Sequence, residues 1–181
     1  MIDKLLLLSA VLLTITIGPS LASTAYRNET FAFRLDIPDG LTVCRDAPSA
    51  VDHGPVLLLS RGASCADIER AEGRILVTGT DNAAHEVRTA RDLMIMLCGR
   101  EKSRGDIPPD LTIPGKRTAS CRLDMADGRT MIRLFAQTRR GPEVGQWLNY
   151  SVSLFTTRPR LEHDLKVLRE VLASLKIDEL R

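Results

Sequence analysis

The sequence predicts a single α+β domain over residues 26–181, built as an antiparallel sheet flanked by helices, with a C-terminal helix packed on the sheet. Three patterns predict it. Apolar and polar residues alternate over 30–37, three alternating segments follow one another between 119 and 156, and leucines recur at helical spacing between 161 and 175. Strands followed by a packing helix are typical of an α+β sandwich.

The first 22 residues have the features of a cleavable signal peptide. Lys4 precedes a run of 13 residues without charge, 5–17. The run fits the apolar core of a secretory signal and is well short of the roughly 20 residues that span a bilayer. Small residues permit cleavage after Ala22 or as late as Ala25. We therefore expect an exported, periplasmic or extracellular domain with no membrane span in the mature chain; the alternative is an uncleaved single-pass anchor.

The first half of the domain is predicted to contribute short strands to the sheet. Phe31, Phe33 and Leu35 fall on one side of the first segment, and polar residues alternate with them. The first segment, 30–37, has a short continuation after a turn at 41–44, and two further segments, 56–60 and 74–80, have the composition of strands.

A helix is predicted over 89–98, where Thr89 can cap the first turn and Gly99 ends the last. Its apolar stripe consists of Leu93, Met94 and Leu97. Residues 99–117 then combine prolines, glycines and charges, and we expect an exposed loop there. Its length is unusual for a connection without secondary structure, which makes it a candidate for function.

The second half is predicted to form an antiparallel meander followed by a long helix. An Asp-Gly turn at 127–128 and an Arg-Arg-Gly-Pro turn at 139–142 separate the strands. The three strands are 119–125, 130–138 and 146–156. Pro159 opens a helix that runs to about Lys176. Its stripe consists of Leu161, Leu165, Leu168, Leu172 and Leu175, spaced to pack against a sheet.

Both ends of the domain resemble the PsbP-like superfamily. The resemblance lies in a strand ending Asp-Ile-Pro-Asp-Gly at 36–40, a strand Tyr-Ser-Val-Ser-Leu-Phe-Thr at 150–156, and a helix ending Leu-Ala-Ser-Leu-Lys-Ile at 172–177. It implies a small α+β domain, often exported and often acting by binding rather than by catalysis. It implies no shared catalytic residues.

Four cysteines lie in the exported part of the chain: Cys44, Cys65, Cys98 and Cys121. None forms the Cys-x-x-Cys pair typical of thioredoxin-like redox sites and most structural zinc sites, and the histidines are not spaced with them as zinc ligands. In an oxidising compartment this pattern predicts two disulfides rather than a metal site. Three pairings are possible. We favour Cys44–Cys65 and Cys98–Cys121, because each would close one irregular stretch that contains glycine and proline.

The sequence lacks the motifs of common catalytic and cofactor sites. It has no Gly-x-Ser-x-Gly, Gly-rich phosphate loop, His-Glu-x-x-His, EF-hand loop or dinucleotide fingerprint, and we predict no catalytic residue, cofactor or metal. His53, in Asp-His-Gly-Pro at 52–55, is the best candidate for a catalytic base. The alternative function is therefore a small exported hydrolase with an unrecognised site near His53.

Charge and composition favour a protein or envelope partner over nucleic acid. The formal net charge is only +2 and aromatic residues make up 4% of the chain, whereas nucleic-acid binders concentrate basic charge and often add stacking aromatics. We predict a non-enzymatic binding module, such as an envelope accessory protein or an immunity-type inhibitor. The candidate contact residues are Arg100, Arg104 and Asp106, whose mixed charges could orient a protein partner. Trp147 joins them as an anchor if it is exposed, and is a core residue otherwise.

Overall fold

Two antiparallel sheets and two α-helices make up the part of the chain that the structure describes. The structure is a computed structural model, and it describes residues 24–44, 53–60, 62–82, 87–99, 106–143 and 146–178. Within these ranges no helix combines the length and the apolar character needed to cross a bilayer.

The elements follow the predicted order, with two added strands at the ends. The strands are β1 (Thr24–Asn28), β2 (Phe33–Ile37), β3 (Thr42–Cys44), β4 (Val56–Leu58), β5 (Arg74–Asp81), β6 (Ala119–Asp124), β7 (Arg129–Arg139), β8 (Trp147–Thr157) and β9 (Lys176–Ile177). The α-helices are α1 (Ala90–Cys98) and α2 (Leu161–Ser174), and 3-10 helices cover Cys65–Arg70 and Arg158–Arg160. Neither β1 nor β9 is predicted from the sequence.

The strands pair antiparallel in two sheets. The smaller sheet has the order β1-β2-β9, and the six-stranded sheet has the order β3-β4-β5-β8-β7-β6. The predicted meander is the contiguous half β6-β7-β8, and β5 pairs with β8 on its other side. The predicted α+β class is confirmed.

The main core lies where α2 and β2 pack on one face of the six-stranded sheet. Alternate residues of β8 point into it: Leu148, Tyr150, Val152 and Leu154. All five leucines of the predicted stripe lie in this core or pack against it. The C-terminal helix therefore packs on the sheet as predicted, because its apolar residues recur with the helical period.

Part of the segment predicted as an exposed loop lies in the core instead. Leu111 and Ile113 are 3% and 1% exposed and belong to the main cluster. Next to them, Asp110 accepts a hydrogen bond from Nε of Arg169 on α2 at 2.6 Å. The expectation of an exposed loop over 99–117 is wrong here, because two apolar side chains between the prolines can be buried beside α2.

The buried side of α1 also differs from the prediction. Leu97 is 47% exposed, beside Met96 at 54%, whereas Leu93 and Cys98 are buried. Cys98 is disulfide-bonded to Cys121 of β6, so the helix turns this position toward the sheet. The neighbouring Leu97 is then rotated by about 100°, one residue's step in an α-helix, away from it.

Candidate functional site

The six-stranded sheet has a second face, on the side away from the main core, which we call the outer face. Strands β7 and β8 contribute alternate residues to it. These are Met131, Arg133, Phe135, Gln137 and Arg139 of β7, and Trp147, Asn149, Ser151, Ser153 and Phe155 of β8. The strand register places Arg139 opposite Trp147 and Gln137 opposite Asn149.

Helix α1 packs on the outer face. Its Leu93 and Cys98 are buried in one cluster with Phe135 and Cys121. The Cys98–Cys121 disulfide joins the end of α1 to β6, and Cys44–Cys65 joins β3 to the first 3-10 helix. These are the pairs that the sequence analysis favours.

A cleft of about 490 Å³ lies where the N-terminus of α1 meets the outer face. We call it the arginine cleft. Three groups of residues line it: 88–91 at the start of α1, 117–119 at the start of β6, and Gln137, Arg139 and Trp147 of the outer face. Four of these residues are arginines, and no acidic side chain is among the described lining residues.

The cleft arginines lack carboxylate partners among the described residues. They are Arg88, Arg91, Arg117 and Arg139, and all four are exposed. Eight other arginines do form ion pairs: Arg27, Arg34, Arg70, Arg74, Arg122, Arg129, Arg160 and Arg169. Three further described arginines, Arg133, Arg140 and Arg158, also lack an ion pair within the described ranges but do not line this cleft. The cleft therefore differs from the rest of the described surface in bringing four such arginines to one place.

Trp147 lies in the cleft wall and is mostly buried. It is 9% exposed, and the guanidinium carbon of Arg139 lies 4.7 Å from its ring centroid, within the range of a cation–π contact. Its indole Nε1 is buried and has no hydrogen-bond acceptor among the described residues. An unpaired buried donor is uncommon and costs stability in the free protein.

A network of buried amides supports the cleft from below. Gln137 donates from Nε2 to the carbonyl of Val87 at 3.1 Å and to Oδ1 of Asn149 at 2.9 Å. Asn82 donates to the same Val87 carbonyl at 2.7 Å. Because Val87 directly precedes Arg88, these bonds fix the chain that enters α1 against the sheet. This network could not be predicted from the sequence, since its members come from three separate parts of the chain.

The start of α1 is capped as the sequence predicts. The Thr89 hydroxyl accepts from the backbone N–H of Asp92 at 3.1 Å and donates to the Asp92 carboxylate at 2.9 Å. The helix dipole adds positive potential at this end of the cleft. Asp92 is the acidic residue of the first turn, and its charge partly offsets that of the neighbouring Arg91.

Of the other predicted contact residues, the structure describes only Asp106, which does not line the cleft. Arg100 and Arg104 lie outside the described residues. Asp106 is exposed, and its backbone carbonyl accepts from Arg122 at 3.5 Å. Of the two predicted contact residues that the structure describes, Trp147 lines the arginine cleft and Asp106 does not.

His53 makes structural contacts. Its Nδ1 lies 3.0 Å from the carbonyl oxygen of Gly79, and its ring stacks on Phe31 with centroids 5.5 Å apart. Asp52, its carboxylate neighbour in sequence, lies outside the described residues. Within the part of the chain that is described, no group of three or more His, Cys, Asp or Glu side chains is placed to hold a metal ion.

Comparison with known proteins identifies the fold. No protein-family model and no curated protein sequence matches the chain significantly. LpqN of Mycobacterium tuberculosis, a protein involved in cell envelope biogenesis, superposes with a TM-score of 0.53 at 9% identity, over 89% of this chain and 86% of its own. The likeness is one of fold. It agrees with the small α+β fold that the sequence resemblance implies.

Two further solved structures are similar at lower TM-scores. Cyanobacterial PsbP (CyanoP) from Synechocystis sp. PCC 6803 is 15% identical, with a TM-score of 0.46 over 89% of this chain and 96% of its own. The Saccharomyces cerevisiae Ran-binding protein Mog1p is 12% identical, with a TM-score of 0.48 over 87% of this chain and 96% of its own.

Proposed function

We propose that the mature chain is an exported, non-enzymatic module that binds a protein partner of the cell envelope through the arginine cleft. The observation that supports this is the convergence of four arginines, unpaired among the described residues, on one concave surface. Such a module could be an envelope accessory protein or an immunity-type inhibitor.

Electrostatics supports a binding role for this surface. Four like charges around one cleft repel one another, and an acidic partner surface would relieve that repulsion on docking. The same charges would speed encounter with such a partner, at a rate that falls as salt is added. The buried amide network under the cleft reduces the ordering that binding would otherwise require.

Three features support export. Residues 1–22 have the pattern expected of a signal peptide, and both disulfides belong to the class of bond that persists in oxidising compartments. The fold is also that of LpqN, a protein of cell envelope biogenesis. An envelope location would therefore fit both the chemistry of the cysteines and one known use of the fold.

Charge reversal at the start of α1 tests the proposal. The variant Arg88→Glu/Arg91→Glu removes half of the cleft arginines, and negative charge is tolerated at a helix N-terminus. Arg70→Glu/Arg158→Glu makes the same change in net charge at two exposed positions outside the cleft. Tagged mature protein would be used to capture partners from a solubilised envelope fraction.

We expect capture to be lost in the cleft variant and kept in the control variant, with both melting temperatures close to that of the unmodified protein. Equal capture by the two variants would refute the proposal. So would a measurable hydrolytic turnover that His53→Ala abolishes, because the protein would then be an enzyme.

The same assay tests the contribution of the segment that contains Arg100 and Arg104. The variant Arg100→Glu/Arg104→Glu should weaken capture if this segment extends the contact surface, as its mixed charges suggest. Unchanged capture would restrict the contact surface to the cleft.

A further inference from the structure

We infer that the arginine cleft receives two neighbouring carboxylates from an acidic segment of the partner protein. This inference rests on the proposed function and specifies the chemistry that the cleft recognises. Three features of the cleft carry it: the charge and type of its side chains, its size, and the unpaired indole donor beside it.

The lining favours oxygen anions with more than one charge. All four of its basic residues are arginines, and a guanidinium can hold a carboxylate through two parallel hydrogen bonds. A single carboxylate would leave most of the four positive charges unmatched. Two carboxylates from nearby residues of one segment would each be able to pair with a guanidinium on either side of the cleft.

The size of the cleft favours a peptide segment over a single small anion. At about 490 Å³ it is far larger than one carboxylate or phosphate group, and it lies in the range of sites that hold extended organic ligands. Its arginines come from four separate positions in the chain, at the start of α1, before β6 and at the end of β7. Charge is therefore distributed along the lining rather than focused on one point.

Trp147 supplies the second, independent observation. Its indole N–H is buried and unpaired among the described residues, while the adjacent Arg139 covers its ring. Because Trp147 lines the cleft, a shift of its side chain on binding would bring this donor to an acceptor on the ligand. A buried donor that finds its partner only in the complex favours the bound state.

A fluorescence titration tests the inference directly, because Trp147 is the sole tryptophan of the chain. The probes are a capped six-residue peptide with two glutamates, the same peptide with two glutamines, inorganic phosphate, and vesicles containing phosphatidylglycerol. Calorimetry on the same samples provides a readout that does not depend on the indole.

We expect the glutamate peptide to bind and the glutamine peptide not to bind, with affinity falling as sodium chloride is raised from about 50 to about 500 mM. Arg117→Gln should raise the dissociation constant about tenfold, the effect of losing one charged hydrogen-bonding partner. Arg117→Lys should raise it by less, since the charge remains and only the forked geometry is lost. Arg70→Glu/Arg158→Glu should change it little.

Each of the following results would overturn the inference. Equal binding of the glutamine peptide would show that the cleft does not recognise the charge of the glutamates. Tighter binding of phosphate or of the vesicles would assign the site to phosphoryl groups. An equal loss in the Arg70→Glu/Arg158→Glu control would show a general charge effect. If partner capture still depends on Arg88 and Arg91 while the peptide does not bind, the proposed function stands and this inference fails. If the peptide binds and capture is unaffected by the cleft variant, the cleft still binds paired carboxylates, but the proposed function fails and with it their assignment to a protein partner.

Discussion

The phenol hydroxyl of Tyr150 donates a 2.8 Å hydrogen bond to the backbone carbonyl of Phe31. Tyr150 lies on β8 of the six-stranded sheet, and Phe31 lies in the turn before β2 of the smaller sheet. The same tyrosine ring meets Phe33 edge to face, with centroids 6.3 Å apart. A single residue of the meander thus links the two sheets. Tyr150 and Phe31 are 119 residues apart in the chain.

Replacing Tyr150 by phenylalanine should destabilise the fold by about 1–2 kcal/mol, because the buried carbonyl of Phe31 would lose its donor. The ring and its contact with Phe33 are kept, so the loss would report the hydroxyl alone. Denaturant unfolding at neutral pH measures the difference in free energy. A variant as stable as the original chain would show that water replaces the hydroxyl at the carbonyl.

The same hydroxyl should make the folded protein less stable as the pH rises above 10. Burial raises the pKa of Tyr150 to about 12, from an ordinary value of 10. The folded state therefore favours the neutral phenol, and this contribution is complete below pH 10 and is lost as the pH rises from 10 toward 12. The loss should approach 3 kcal/mol, on the scale of about 1.4 kcal/mol for each pKa unit. Unfolding curves at pH 9, 10 and 11 should show a shallower decline for Tyr150→Phe.

Removing the arginine partner of a buried carboxylate near the start of α2 should destabilise the fold more than Tyr150→Phe does. Asp164 is fully buried and accepts hydrogen bonds from the Thr156 hydroxyl at 2.6 Å and from Arg160 at 3.2 Å. Arg160→Gln would remove the guanidinium from that carboxylate, whose Oδ1 would keep its contact with Nδ1 of His163 at 3.0 Å, and we expect a loss of about 2–4 kcal/mol. Arg158→Gln is the matched control, since Arg158 is exposed in the same 3-10 helix and has no ion-pair partner within the described residues. Thermal unfolding of the two variants would separate them, and equal melting temperatures would contradict the prediction.

Local patterns in the sequence predict most of the fold. The alternation in β8 and the leucine stripe of α2 place the core correctly, because the periods of strand and helix differ and each segment keeps one of them. The short strands β1 and β9 are not predicted from the sequence. The pairing of β9 covers only Phe33 with Ile177 and Arg34 with Lys176, too short a segment to carry a pattern of its own.

The cleft could not be predicted from the sequence, for a different reason. Arg88 and Arg139 are 51 positions apart, and only the packing of α1 on the outer face places both of them around one cleft. Spread along the chain, the arginines indicate an ordinary solvated surface. Whether each is neutralised depends on the fold, as Asp110 and Arg169 show by pairing across 59 residues.

The start of β1 bears on the predicted site of signal cleavage. Thr24 and Ala25 are paired with Ile37 and Asp36 of β2. Cleavage after Ala25 would remove two of the five residues of β1, whereas cleavage after Ala22 would leave the strand intact. We therefore predict a mature chain that starts at Ser23. Intact-mass measurement of the exported protein distinguishes the two, and a full-length chain in the soluble fraction would contradict export with cleavage altogether.

The two disulfides allow a controlled test that links stability to binding. They join residues 21 and 23 positions apart, so chain entropy predicts a similar loss, about 3 kcal/mol, when either is removed. Of the two bonds, Cys98–Cys121 is the one that joins α1 to β6. The N-terminal ends of these two elements line the arginine cleft. Cys98→Ala/Cys121→Ala should therefore lose stability and also weaken binding of the glutamate peptide. Cys44→Ala/Cys65→Ala should lose stability alone.

The measurement combines denaturant unfolding with the peptide titration, at a temperature where both variants remain folded. Thiol counting on the denatured, unreduced original chain should find no free thiol, and four free thiols would reject both bonds. Equal peptide affinity in the two variants would show that peptide binding in the cleft does not depend on the Cys98–Cys121 bond. In that case the amide network of Gln137, Asn149 and Val87, rather than the disulfide, would be what holds the start of α1 in its binding position.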